Sequence, residues 1–570
     1  MVEKDGNRQP AVVVARRDYR DPGENCLIFI VNDLIIMKAA QIKLVALTLL
    51  GWVMAISIPA QELHRPNWQN RDLQRDSIFG ISTERAYREL LANKQATTVI
   101  VAVIDDGVDT GHEALKPVLW VNPREAPGNG VDDDHNGYID DLHGWNFIGG
   151  ANGDVAHDSK ECTRILHRDS ARYAGYTLAS IPDKQRAGFL VYRSAKAEYD
   201  SVLKETRAYL GSDTGDLHFF DSLAVRIGKD TPTIADLRAY TARNESEARA
   251  IGWAIKRMKL EPDFYQCVGH LRSLIDEDHS ILDFWLNTDY DPRSTIVGDD
   301  YSNDEQRYYG NANVTGPDAL HGTHVSGIIG AVRGRGMGID GVADHVRIMG
   351  IRAIPDGDER DKDVANAIRY AADNGAKVIN MSFGKYSSWD KKVVDEAVKY
   401  AMGKDVLMIH IAGNEGRNLD DPVYGWFPSK RYEDGSGEAK AWITVGASDQ
   451  LDDSTLIADF SNYGRTNVDV FAPGVAIYSC YSGSTYGYDD GTSMAGPAVT
   501  GVAALIREYY PKLSAVQVKE IIMQSVVKPA HTVMVRDRGI EKKVYLSDIC
   551  TSGGVVNAYN ALRLAAVYKD

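Results

Sequence analysis

Five short apolar runs separated by amphipathic stretches constrain this chain more than any other feature. TTVIVAVID (97–105), VRIMGIRAI (346–354), KVINMSF (377–383), VLMIHIAGN (406–414) and AWITVGAS (441–448) have the length and β-branched content of buried strands. They are apolar with little alternation, which is how strands covered on both faces read. Between them, Asp363 to Asn374 puts Val364, Ala367, Ile368 and Ala371 on one helical face, and Asp390 to Ala401 repeats this with Val394, Ala397, Val398 and Ala401. This alternation predicts an α/β fold in three layers, a mostly parallel sheet with helices on both faces. Ligands in such sheets collect beyond the C-terminal ends of the strands, where Asp105, Ser382 and Asn414 stand.

Residues 155–287 interrupt the pattern with one helical stretch after another and read as an insertion. The stretch from Ile181 ends on Gly211 as a helix cap, and the one from Thr233 to Met258 begins with Thr233 as N-cap. The chain of 570 residues then divides into a leader and signal (1–60), an N-terminal segment (61–96), a first α/β part (97–154), the helical insertion (155–287) and a second α/β part (288–570). Leu44 to Ala60 carries no charge and follows Lys38 and Lys43, with Met37 as the natural start, so 37–60 reads as a secretory signal. The apolar run is shorter than the ~20 residues a membrane span needs. The expectation is therefore export, to periplasm or medium, with no stable span after cleavage. Cleavage removes Cys26 and leaves Cys162, Cys267, Cys480 and Cys550, which are either paired in one of three ways or four separate buried thiols. A formal charge of −16 excludes a general nucleic-acid binder.

Three local sequences carry chemistry. VIVAVIDDGVD delivers Asp105 from a strand into a glycine turn. ALHGTHVSGIIG (319–330) sets His321 at the start of a helix whose Val325, Ile328, Ile329 and Val332 face a core, and its Gly327 and Gly330 imply close approach to other backbone. DGTSMAGPAVTGVAALI opens a second helix at Ser493, whose N–H has no partner inside the helix. Serine needs a base to become a nucleophile, and the base needs an acid to fix its tautomer. Each residue alone is weak evidence, since a lone histidine is usually structural and an Asp at a strand end is commonly a turn former. Together they are a strong signal.

On VAVIDDGVD, HGTHVSG and GTSMAGP, in the order Asp, His, Ser, the chain resembles the subtilisin-like serine peptidases of the bacterial secreted type. The likeness extends to VINMSFG and IAGNEG and covers about residues 97–150 and 288–565. It implies a serine endopeptidase acting on proteins or peptides through an acyl-enzyme, without a catalytic cofactor. It assigns Asp105 as orienting acid, His321 as general base, Ser493 as nucleophile and Asn414 as oxyanion donor. Ser382, Phe383 and Gly384 match the segment that binds substrate by adding a strand. Trp426, before Phe427 and Pro428, matches the base of the primary specificity pocket and would make it shallow, unless it is simply core packing. The alternatives are a catalytically silent relative whose helical insertion binds a partner, and a kexin-like processing enzyme suggested by Asp106. A serine esterase with a G-x-S-x-G elbow is excluded by the residue order and by Ala495.

NGVDDDHNGYIDD (129–141) is a candidate structural Ca²⁺ site, with Asp132, Asp134, Asn136 and the Tyr138 carbonyl as ligands in the spacing of a half EF-hand. The twelfth position is His143 rather than Glu, so Asp140 or Asp141 must close it; Asp141 is the expected ligand. The competing reading is a solvated acidic loop. Ala114 stands where many secreted relatives carry a calcium-binding Asp, and 61–96 is short for the usual folding-assistant propeptide.

Overall fold

The computed structural model describes residues 64–568 apart from 261, 262, 423 and 538. The expected signal and Cys26 lie outside the described residues. Seven parallel strands form the central sheet in the order β2-β5-β1-β6-β7-β8-β9. These are β1 (Val99–Asp105), β2 (Gly144–Asn146), β5 (Val346–Arg352), β6 (Val378–Met381), β7 (Leu407–Ile411), β8 (Trp442–Ser448) and β9 (Val470–Pro473). Three small hairpins accompany it among the described residues: β3 (Gly149–Gly150) with β4 (Gly153–Asp154), β10 (Ile477–Tyr481) with β11 (Thr485–Asp489), and β12 (Val533–Asp537) with β13 (Ile540–Val544). The five expected strands are all present. The edges β2 and β9 are too short for periodicity to show, and β9 ends in a proline.

β1 lies at the centre, with Val99 to Asp105 in register with Val346 to Arg352 on one side and Val101 to Ile104 with Val378 to Met381 on the other. Its odd-numbered valines, Val99, Val101 and Val103, enter a core with Val325, Ile328, Ile329, Val499 and Val502. Ala102 and Ile104 enter a second core with Val364, Ile368, Val398 and Trp442. The first core belongs to the helices Leu320–Gly330 and Thr492–Tyr509, the second to Asp361–Asp373 and Lys391–Gly403. Alternate side chains of one strand thus hold both outer layers.

The glycines of the Leu320–Gly330 helix allow close packing, but not as expected. A Cβ on Gly327 would strike the Ser479 and Cys480 side chains, and one on Gly330 would strike Val346. Backbone approaches at Gly322 instead, where a Cβ would stand 2.1 Å from the Gly107 carbonyl oxygen.

Residues 161–285 are helical almost throughout: Glu161–Tyr173, Arg186–Ile227, Ile234–Ala239, Glu245–Leu260 and Phe264–Ser280, the last continued by a wider turn at Ile281–Trp285. Gly211 does not end a helix. The helix runs through it to Gly228, which takes the cap conformation at φ 73°. Phe189, Tyr192, Ala195, Val202, Phe220 and Leu223 are buried along its length, and that burial outweighs the roughly 1 kcal/mol a mid-helix glycine costs. Thr233 does cap its helix, in a reciprocal box with Asp236, but that helix stops at Ala239 and restarts at Glu245. The segment has its own core, with Phe220, Leu237, Ala254, Met258, Phe264 and Leu271. It enters and leaves at one point, where the Lys160 N–H donates to Trp285 O at 2.9 Å.

Cys162, Cys267, Cys480 and Cys550 are four separate buried thiols, the second of the two readings left open by the sequence. Among the described residues no helix is long and apolar enough to cross a membrane.

Candidate active site

β1 ends on Asp105, which is 2% exposed, and places its carboxylate under the first turn of the Leu320–Gly330 helix. Asp105 Oδ1 is 2.7 Å from His321 Nδ1. This fixes the ring's orientation and turns Nε2 away from the acid. Burial alone would push the imidazolium down, but the Asp105 carboxylate prevails, with Asp106 and Asp489 adding to it, and holds it up at about 9.

Asp106, which the sequence offered only as a hint of another subfamily, has a definite place. Its carboxylate accepts from the backbone N–H of His321 at 3.1 Å and of Gly322 at 2.8 Å. It therefore caps, from another element, a helix that has no side-chain cap of its own. Burial, then the charge of Asp105, pushes it up to about 8. The second histidine of His-Gly-Thr-His has a structural role. His324 is buried, sits with Nε2 3.0 Å from Ile477 O, and is pushed down by burial to about 4.

Ser493 is the second residue of the Thr492–Tyr509 helix and is half-buried. Its hydroxyl donates to Ser382 O at 3.3 Å, and the Ser382 hydroxyl donates back to Ser493 O at 3.0 Å. Asn414 follows β7. Its side-chain oxygen accepts from both the N–H (2.8 Å) and the hydroxyl (2.9 Å) of Thr492. With the oxygen so held, the amide NH₂ is presented on the other side. A Cβ at Gly491 would lie 3.5 Å from both Asn414 Nδ2 and Ser493 N. Both nitrogens thus border the small space that the missing side chain at Gly491 leaves open. Thr492, which the sequence did not single out, is the residue that aims Asn414.

Ser382, Phe383 and Gly384 leave the end of β6 beside this space. The Phe383 carbonyl accepts from His410 Nε2 at 2.9 Å; His410 is buried in β7 and is held neutral, pushed down to about 3. Lys385 and Phe427 exchange backbone hydrogen bonds of 3.0 and 2.9 Å, which brings the Trp426 ring against the segment. A Cβ on Gly384 would meet that ring at 2.5 Å and one on Gly413 would meet it at 2.7 Å. The indole therefore fills the gap between the two strand ends and is anchored by Nε1 donating to Ile411 O at 2.9 Å.

The acidic loop lies apart, at the surface. Carboxylate oxygens of Asp132, Asp134 and Glu125 come within 4.8 Å of one another. Glu125, absent from the sequence-based set, is 7% exposed, and its Oε2 is buried without a hydrogen-bond partner. An oxygen-only set with an orphaned buried carboxylate oxygen fits a hard cation. Asn136 Oδ1 accepts from the Tyr138 N–H at 2.8 Å. Asp141 accepts from Asn122 at 2.8 Å, Asn136 at 3.1 Å and the Tyr370 hydroxyl at 2.5 Å, bonds that brace the loop. Tyr138 packs its ring on Trp145 and Tyr370.

The subtilase family model, Peptidase S8, matches residues 96–544. The chain is 43% identical over 187 residues to the thermophilic serine proteinase of Bacillus sp. (strain AK1), a stretch covering 33% of this chain and 42% of that protein. It is 40% identical over 187 residues to thermitase of Thermoactinomyces vulgaris, covering 33% of this chain and 60% of thermitase. It is 37% identical over 200 residues to subtilisin DY of Bacillus licheniformis, covering 35% and 67%. The matched stretches thus span about half of the first two relatives. With a seven-stranded parallel sheet and a family model that matches most of its length, the chain belongs to the subtilase family.

Proposed function

We propose that the chain is an exported serine endopeptidase in which His321 takes the Ser493 proton, Ser493 attacks the scissile carbonyl and Asp105 holds the imidazolium that forms. The observation that carries this is the 2.7 Å Asp105–His321 pair at the strand end, with Ser493 at the start of the helix packed in the same core. Negative charge developing on the carbonyl oxygen is met by Asn414 Nδ2 and the Ser493 N–H, both preset around the space at Gly491. The tetrahedral intermediate collapses as His321 gives its proton to the leaving amine and the C–N bond breaks, and the acyl-enzyme then yields to a water deprotonated by the same His321, which returns the proton to Ser493. Substrate backbone adds as a strand along Ser382–Gly384, and Trp426 limits the side chain before the scissile bond to small residues. Asp132, Asp134 and Glu125 hold a structural Ca²⁺, with no part in the chemical steps. The likeness to bacterial serine proteinases supports the activity and with it protein or peptide substrates, and the uncharged run Leu44 to Ala60 after Lys38 and Lys43 supports export.

The test is fluorophosphonate labelling of the purified protein and of Ser493→Ala, with mass mapping of the adduct. Labelling at Ser493 that disappears in the variant is the expected result. A folded wild type that takes no label would overturn the peptidase reading and favour a silent, partner-binding subtilase.

A further inference from the structure

The helix that carries Ser493 at its start carries Glu508 near its end, roughly 22 Å along the axis. There it meets Asp344 and His345, the two residues that precede β5, at the end of the sheet away from Asp105. Atoms of Asp344, His345 and Glu508 able to ligate a metal all lie within 4.8 Å of one another. Glu508 is 1% exposed. One of its oxygens accepts the His345 N–H at 3.1 Å, while Oε2 is buried and has no hydrogen-bond partner. Asp344 Oδ1 is also buried and unsatisfied: His345 Nδ1 stands 2.9 Å away without hydrogen-bond geometry.

Apart from His345, the neighbours bring no free positive charge to this pair of carboxylates: the hydroxyls of Tyr87 and Tyr509 come near Asp344 but are neutral. The Tyr87 hydroxyl is spent on Val342 O at 3.0 Å, and the Arg333 guanidinium is paired with Glu84 and the Gly341 carbonyl. Two adjacent carboxylates with orphaned buried oxygens call for a positive partner. The imidazole beside them changes the kind of partner, because one nitrogen and two carboxylate oxygens make a donor set for zinc rather than calcium. A tetrahedral zinc holds its donors about 3.4 Å apart, so the three side chains need only draw in slightly. His345 is half exposed and gives an ion an entrance.

We propose that Asp344, His345 and Glu508 bind one zinc-class divalent cation, with water in the fourth position, tying the start of β5 to the far end of the helix that bears Ser493. The competing account is a proton shared between Glu508 and Asp344. Burial first, and the Asp344 charge next, push Glu508 well above the usual carboxylate range, and a shared proton would need no metal.

Metal-stripped full chain carrying Ser493→Ala, which prevents self-digestion, is titrated with zinc chloride by calorimetry and followed by thermal unfolding. Glu508→Gln and His345→Ala are made in the same background; the second alters an exposed side chain and preserves the fold. The expected result is one zinc per chain with a raised unfolding temperature, and binding weakened roughly tenfold or more in each variant. Two results would overturn the proposal. One is no zinc-dependent heat or shift in the parent, the signature of the shared proton. The other is undiminished binding in both variants, which puts the ion elsewhere.

Discussion

Replacing Glu161 by Gln should cost the protein about 3 kcal/mol at neutral pH. Glu161 opens the helical segment and is fully buried. Its carboxylate pairs with Lys385 Nζ, and with Arg164 through Nε at 3.0 Å and Nη2 at 3.1 Å. Burial alone would raise its pKa; Arg164 and then Lys385 overcome this and bring it down to about 2. A drop from 4.5 to about 2, at 1.36 kcal/mol per unit, corresponds to about 3 kcal/mol of stability. Breaking a buried pair typically costs 3–5 kcal/mol, and the lower end applies here. Lys385 keeps Asp361 at 2.8 Å, and Arg164 keeps Asp158 at 3.7 Å. The folded pKa lies below the unfolded one, so this stability is complete above about 4.5 and disappears as pH falls through about 2. Urea unfolding of Ser493→Ala with and without Glu161→Gln should therefore differ by about 3 kcal/mol at pH 7, with the gap closing on acidification. A difference below about 0.5 kcal/mol, or one that does not change with pH, would refute the reasoning.

Four further outcomes follow from the site. The rate constant kcat/KM should rise as His321 loses its proton near 9, because only the neutral ring accepts the serine proton; Asp106→Asn removes a neighbouring charge that favours the imidazolium, and should move that limb down by about 0.5–1 pH unit. Asn414→Ala should lower kcat by about 10² to 10³ with little change in KM, read in steady-state peptide hydrolysis. Trp426→Gly should open the gap at Gly384 and Gly413 and move a peptide library's preference from small to large aromatic side chains before the scissile bond. A calcium chelator should lower the unfolding temperature of Ser493→Ala, and Glu125→Gln should reduce that response.

The parts of this molecule that were legible in advance are those in which a residue's role depends on its own neighbours in sequence. β1 is readable because seven residues in a row are apolar or end the strand, and the three chemical motifs are readable because each is confined to one turn. Gly211 misled because a glycine's local preference is worth about 1 kcal/mol, and a buried stripe extending past it to Phe220 and Leu223 outweighs it. Asp106, Glu125, His410 and Thr492 were not placed for a different reason. Each works through a partner on another element: the helix start at His321, the loop at Asp132, the Phe383 carbonyl and the Asn414 amide. The second acid of Asp-Asp-Gly was the one visible signal among them, and only the fold shows that it serves a helix terminus.

The common base of the helical segment has a consequence for how the chain folds. β1 lies between β5 and β6, both built from chain beyond that segment, and Asp105 must find His321 across 216 residues. A sheet centre assembled from such distant partners is slow to nucleate, whereas helices packed on their neighbours form early. Because Lys160 and Trp285 are hydrogen-bonded to each other, a helical segment that forms first removes its own length from the loop that remains to be closed. The saving in closure entropy is only about 0.8 kcal/mol, since that term grows with the logarithm of length. The larger effect is on the order of events: the segment that most lengthens the path between acid and base also shortens the search, once its own core has formed.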